Sequence, residues 1–139
     1  MTLTRREALI LGAAGSAALM LPLPASAAAF DDAVKAFTGG ATPKEGGVTL
    51  NAPEIAENGN TVPVSVEAKG ASEILILAPE NPTPKVATFS FGPLSGGASA
   101  STRMRLAKTQ DVTAIAKMAD GSFAMAKTTV KVTIGGCGG

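Results

Sequence analysis

The sequence predicts an all-β fold, an immunoglobulin-like antiparallel β-sandwich with a short N-terminal helix. Three observations predict it. Short apolar runs divided by turn residues recur roughly every ten residues over a stretch of about 90 residues. Several of those runs alternate apolar and polar residues, the period of a strand with one buried face. Hydrophobic residues make up 45% of the chain and aromatics only 4%, so Val, Ile, Leu, Ala, Met and Phe must build the core. Periodicity does not separate two packed sheets from one closed sheet, and a barrel is the alternative architecture.

The first residues read as an address. Arg5 and Arg6 precede an apolar run from Ala8 to Leu23, and Ala25, Ser26 and Ala27 supply the small residues that a signal peptidase reads. Gly12, Gly15, Ser16 and Pro22 interrupt the run, which suits a removed signal better than a permanent span. "TRREALI" resembles a twin-arginine export signal, with Ala8 in place of the usual bulky residue. The expected organisation is a cleaved signal over 1–27, a sandwich with its helix over 28–134, and an arm over 135–139. A twin-arginine signal places the mature protein in the periplasm, and its export of folded cargo suits a chain that pairs with a subunit beforehand.

"AAAFDDAVKAFTGG" spaces Phe30, Val34 and Phe37 as one helical stripe, and Gly39-Gly40 predicts its stop. Packing on its own domain is the expected use of the stripe, and partner docking the alternative. Asp31 and Asp32 are expected near the helix start, where capping and the macrodipole favour carboxylates. The strands follow as "GVTLNAP", "TVPVSVEA", "EILILAP", "KVATFSFG", "SASTRMRLA", "QDVTAIAKMA" and "SFAMAKTTVKVTI". Val62, Val64 and Val66 face inward, and Pro63 predicts an edge or a bulge. "EILILAP" is apolar throughout and reads as buried on both faces, in the core or in an interface. "PENPTP" is an extended loop. Asp120-Gly121 predicts a two-residue hairpin turn.

Composition narrows the chemistry. The chain has no His, which removes the commonest metal ligand and the usual general base at neutral pH. Scattered carboxylates and one Cys give no metal-site spacing, so neither catalytic nor metal-ligating residues are assigned. Excluding Arg5, Arg6 and Glu7, ten basic residues face ten acidic ones, a balance that offers no footprint for nucleic acid. No membrane contact is expected after signal removal. "TGG", "EGG" and "SGGAS" lack the Lys-Ser or Lys-Thr of a phosphate loop and read as turns. Arg103 and Arg105, two apart, would share one strand face, as an anion site or as a solvated surface.

Cys137 is the sole cysteine, set in "IGGCGG" with Gly135, Gly136, Gly138 and Gly139 around it. Packing does not account for that setting. Glycines contribute no side chain and predict a mobile, slim segment. Five residues beyond Ile134 span roughly 17 Å when extended. Such a thiol could carry a covalent substrate, form an interchain disulfide, bind a metal with outside help, or serve no purpose. The first fits best, since a carrier needs a reactive atom, reach and little bulk. The rival is a secreted sandwich module whose cysteine makes a permanent interchain disulfide.

"VKVTIGGCGG" resembles the terminus of the SoxY family, the sulfur-carrier subunits of the SoxYZ complex in thiosulfate-oxidising Sox systems. Each residue of its GGCGG matches. The resemblance implies a non-catalytic carrier with no cofactor, holding sulfur intermediates covalently on Cys137, with the four glycines as its arm. It implies SoxZ as heterodimer partner and transient encounters with SoxAX, SoxB and, in some hosts, SoxCD. Ubiquitin-like sulfur carriers also end in Gly-Gly, but they use a terminal carboxylate in the cytoplasm, and the leader argues against them.

Overall fold

The computed structural model describes residues 25–134. Most of the expected signal, and Cys137 with its four glycines, lie outside them. The expected cleavage after Ala27 falls at the edge of the described chain.

The chain opens with helix α1 (Ala25–Thr38). Strands follow as β1 (Lys44–Glu45), β2 (Thr49–Asn51), β3 (Ile55–Ala56), β4 (Val62–Glu67), β5 (Ala71–Leu77), β6 (Lys85–Ser90), β7 (Ser99–Met104), β8 (Gln110–Met118) and β9 (Phe123–Val132). They form two sheets. The larger runs β1-β9-β8-β5-β6, with β3 also on β9, and the smaller runs β2-β4-β7. All seven expected strands form. The two-residue β1 and β3 escaped sequence reading because two residues show no periodicity. Both pair with β9 in parallel, so the sandwich is antiparallel except at that edge.

Two packings explain the apolar pattern. Val62, Val64 and Val66 face Ile74, Ile76, Val112 and Val130 between the sheets. Leu75, Leu77 and Ile115 point out of the opposite face and are covered by Phe30, Ala33, Val34 and Phe37 of α1. Strand β5 is therefore apolar on both sides because it has core on both sides, and "EILILAP" belongs to the interior. Each fully buried Leu or Ile there contributes roughly 1.5–3 kcal/mol. The helix stripe packs on its own domain, with the Phe37 and Phe123 rings edge to face at 5.8 Å.

Local chemistry sets the boundaries. Thr38 Oγ1 donates to the Val34 carbonyl at 2.8 Å. Gly39 and Gly40 then take φ of 65° and 95°, ending α1 as expected. Asp31 and Asp32 do not cap it. The helix begins at Ala25, and its alanine-rich first turns place both carboxylates in mid-helix. The glycines of "EGG" and "SGGAS" also adopt positive φ, which makes them turn residues.

Three strand readings change in detail. Pro63 lies in the central strand β4, but β2 pairs with β4 only at Glu67, Val66 and Ser65, so the proline meets a locally open edge. The β5–β6 ladder shifts register between Ile76 and Leu77, which lets both Val86 and Phe89 pack on the core. The Asp120-Gly121 hairpin has three loop residues rather than two. Gly121 N donates to Met118 O, and Met118 N donates to Ser122 O. Asp120 keeps a negative φ, which rules out the two-residue turn that needs positive φ at both positions.

Candidate functional site

Strand β9 delivers the chain to the thiol-bearing segment, and its last residues are fixed on two sides. Lys131 N donates to Glu54 O at 2.9 Å and Thr133 N to Ala56 O at 3.1 Å, both toward β3. Val132 N donates to Thr109 Oγ1 at 2.9 Å on the other side. Gly59 N then donates to Ile134 O at 2.8 Å, and Gly59 O accepts from Leu106 N at 2.8 Å. The clamp exists because β2 leaves the small sheet at Pro53 and crosses to β9 as β3. Cys137 follows three residues after this fixed point. Ile55 and Ile134, at 57% and 66% exposure, are large apolar side chains left uncovered on the clamped segments.

The β7–β8 and β5–β6 loops are tied together at the same end of the sandwich. Asn81 Nδ2 donates to Arg105 O at 2.7 Å. Asn81 Oδ1 accepts from Ala107 N and from Gln110 Nε2, each at 2.9 Å. Gln110 Oε1 accepts from Glu80 N at 2.9 Å. Both side chains are buried, and no buried side-chain polar atom among the described residues lacks a partner. Sequence reading missed this network, since an Asn inside a proline-rich loop looks like ordinary turn chemistry.

Arg103 and Arg105 do not share a strand face. Strand β7 ends at Met104, and Arg105 belongs to the loop that Asn81 holds. Arg103 lies on the outer face of the small sheet, opposite Pro63. Its Nη1 approaches Thr61 Oγ1 at 3.5 Å. It borders an open groove of about 720 Å³ that runs past Ala52, Pro53, Pro63, Ser65 and Ser101. Among the described residues no three His, Cys, Asp or Glu side chains come together. No described helix is long and apolar enough to cross a membrane.

Comparison with known proteins gives this architecture a class. A solved structure of the sulfur carrier protein SoxY from Chlorobium limicola f thiosulfatophilum is 40% identical and superposes with a TM-score of 0.67, over 78% of this chain and 99% of that one. A superoxide reductase (neelaredoxin) from Ignicoccus hospitalis is 16% identical with a TM-score of 0.55, over 73% of this chain and 90% of that one. The second likeness shows the sandwich fold alone. No curated protein matches the chain. The SoxY likeness, and not the fold by itself, sets the class: a sulfur carrier rather than an enzyme. The sequence model of the sulfur oxidation protein SoxY matches residues 34–137, and the chain belongs to the SoxY family. That match ends on Cys137.

Proposed function

We propose that this chain is a periplasmic carrier that holds thiosulfate-derived sulfur covalently on Cys137 and presents it in turn to the enzymes of a sulfur-oxidation pathway. The observation that carries the reading is the clamp on β9. It fixes Ile134 to the sandwich through Gly59 and leaves Gly135 and Gly136 as the only residues between that anchor and the thiol. A carrier needs this division: a rigid body for partners to grip, and a reactive atom on a link of little bulk.

The chemistry follows from the family resemblance. The Cys137 thiolate joins thiosulfate to give Cys-S-S-sulfonate, and two electrons pass to the c-type cytochromes of SoxAX. Water then releases sulfate and two protons in SoxB, which leaves a persulfide on Cys137. SoxCD, where a host has it, oxidises that remaining sulfur. Pairing with SoxZ in the cytoplasm accounts for a twin-arginine signal over residues 1–27 and for export of a folded complex. Gly135, Gly136, Gly138 and Gly139 keep the cysteine slim enough for each enzyme's pocket.

Intact-mass measurement on protein from thiosulfate-grown cells tests the reading. Reducible adducts on the peptide containing Cys137, at the masses of a thiosulfonate or of added sulfur, are expected. A Cys137→Ser strain should lose thiosulfate oxidation. A disulfide-linked dimer without adducts, together with normal oxidation in that strain, would overturn it.

A further inference from the structure

We propose that Asn58-Gly59 is a site of spontaneous deamidation, and that the isoaspartyl link it forms releases the clamp on the end of β9. The chemistry does not depend on what Cys137 carries.

The residue order singles out the position. The chain has four asparagines, followed by Ala52, Gly59, Thr61 and Pro82. Ring closure needs the next backbone nitrogen to reach the asparagine Cγ. Glycine has no side chain to block that approach and the widest backbone freedom to make it. Pro82 has no N–H to lose, and Ala52 and Thr61 each carry a Cβ. Asn58 is exposed, so water reaches its amide.

The fold gives the Gly59 nitrogen a competing use. Gly59 N donates to Ile134 O at 2.8 Å, the bond that fixes the end of β9. Asn58 Oδ1 accepts from Asn60 N at 3.0 Å, which holds the side chain in an Asx turn. Both bonds oppose ring closure. When the end of β9 opens, Gly59 N can lose its proton and attack Asn58 Cγ. The N–Cγ bond forms as the Cγ–Nδ2 bond breaks, and ammonia leaves with the proton. Water then opens the imide at either carbonyl. The net change is a water consumed and an ammonia released, with no electrons transferred.

The imide nitrogen carries no hydrogen, so imide and clamp exclude each other. Opening at the Asn58 backbone carbonyl leaves the chain running through Cβ and Cγ, a carbon longer than before. That displaces Gly59, whose carbonyl also accepts from Leu106 N at 2.8 Å. The same turn is held at Glu57, whose carbonyl accepts from Thr133 Oγ1 at 3.1 Å. The last fixed point of β9 then retreats toward Val132, which Thr109 holds. Asp120-Gly121 also has the glycine, but hydrogen bonds from the Ser122 hydroxyl and amide favour its carboxylate, a poor electrophile.

The full chain is aged at mildly alkaline pH, in native buffer and in unfolding urea, and peptide mass spectrometry follows Asn58. Conversion is expected in both, at least about 10-fold slower in the native chain. Thr109→Val, which removes the partner of Val132 N, should speed native conversion roughly 2–10-fold. In the isoaspartyl fraction, identified by isoaspartyl methyltransferase labelling, the Leu106 and Thr133 amides should exchange faster than in fresh protein. Asn58→Ser, which keeps an oxygen for the turn, should retain their protection after the same ageing. Equal rates in buffer and urea, or no conversion in the native chain, would overturn the proposal. So would an unchanged rate in folded Thr109→Val, or full protection in the isoaspartyl fraction. Should Thr109→Val not fold, the buffer-to-urea ratio and the exchange data decide.

Discussion

Asn81 Oδ1 accepts a hydrogen bond from Gln110 Nε2 at 2.9 Å, and this buried pair joins two loops at the end of the sandwich from which β9 leaves. Each partner also satisfies backbone groups of the neighbouring loop. Asn81 takes the Ala107 amide and the Arg105 carbonyl, and Gln110 takes the Glu80 amide. Removing either side chain strands several polar groups away from water, a heavier cost than the loss of one hydrogen bond. Asn81→Ala should destabilise the fold by about 2–4 kcal/mol in urea unfolding. The double variant with Gln110→Ala should cost less than the two single losses combined. Additive losses would show that the two side chains act separately.

The helix should be separable from the sandwich. Phe37 is half-buried against Phe123, so Phe37→Ala should cost about 1–3 kcal/mol, below the range for a fully buried phenylalanine. Amide exchange should then speed up in α1 while the β4 and β8 amides stay protected. Uniform loss of protection across both sheets would mean that helix and sandwich unfold as one unit.

The β8–β9 hairpin should be pH-sensitive. Hydrogen bonds from the Ser122 hydroxyl at 2.6 Å and the Ser122 amide at 2.9 Å hold the Asp120 carboxyl below its ordinary 3.8. A carboxylate lowered by folding stabilises the turn above its unfolded pKa, and that support is lost as pH falls through the lowered value. The Ser122 amide resonance should therefore titrate with a midpoint under 3.8, and Ser122→Ala should bring the Asp120 midpoint back toward it. A midpoint at or above 3.8 in the unaltered chain would contradict the turn geometry.

Bulk beside the thiol should matter to enzymes and not to the fold. Gly136→Val and Gly138→Val should unfold at the same urea concentration as the unaltered chain and still load with tetrathionate. Thiosulfate-dependent turnover with the partner enzymes should fall. Unchanged turnover would mean that the segment needs length alone.

What the sequence determined by itself was local in character. Alternating valines in "TVPVSVEA" and the apolar run "EILILAP" specified strands, because a strand's two faces report burial directly in the residue order. The Phe30, Val34, Phe37 stripe and Gly39-Gly40 specified a helix and its end. The glycine-flanked Cys137 pointed to a carrier thiol, because that setting has no packing explanation, and its GGCGG carried the resemblance to the SoxY family. Tertiary structure decided everything that depends on which distant segments meet. It made "EILILAP" interior on both sides by laying α1 over β5. It brought Ile55 and Ala56 onto β9, through a pairing only two residues long that leaves no period to read. It joined Asn81 to Gln110, and it put Arg103 beside Thr61 at the edge of a groove while separating it from Arg105. Those contacts cross many residues of chain, and their energy comes from burial and satisfied polar groups that no short window of sequence contains.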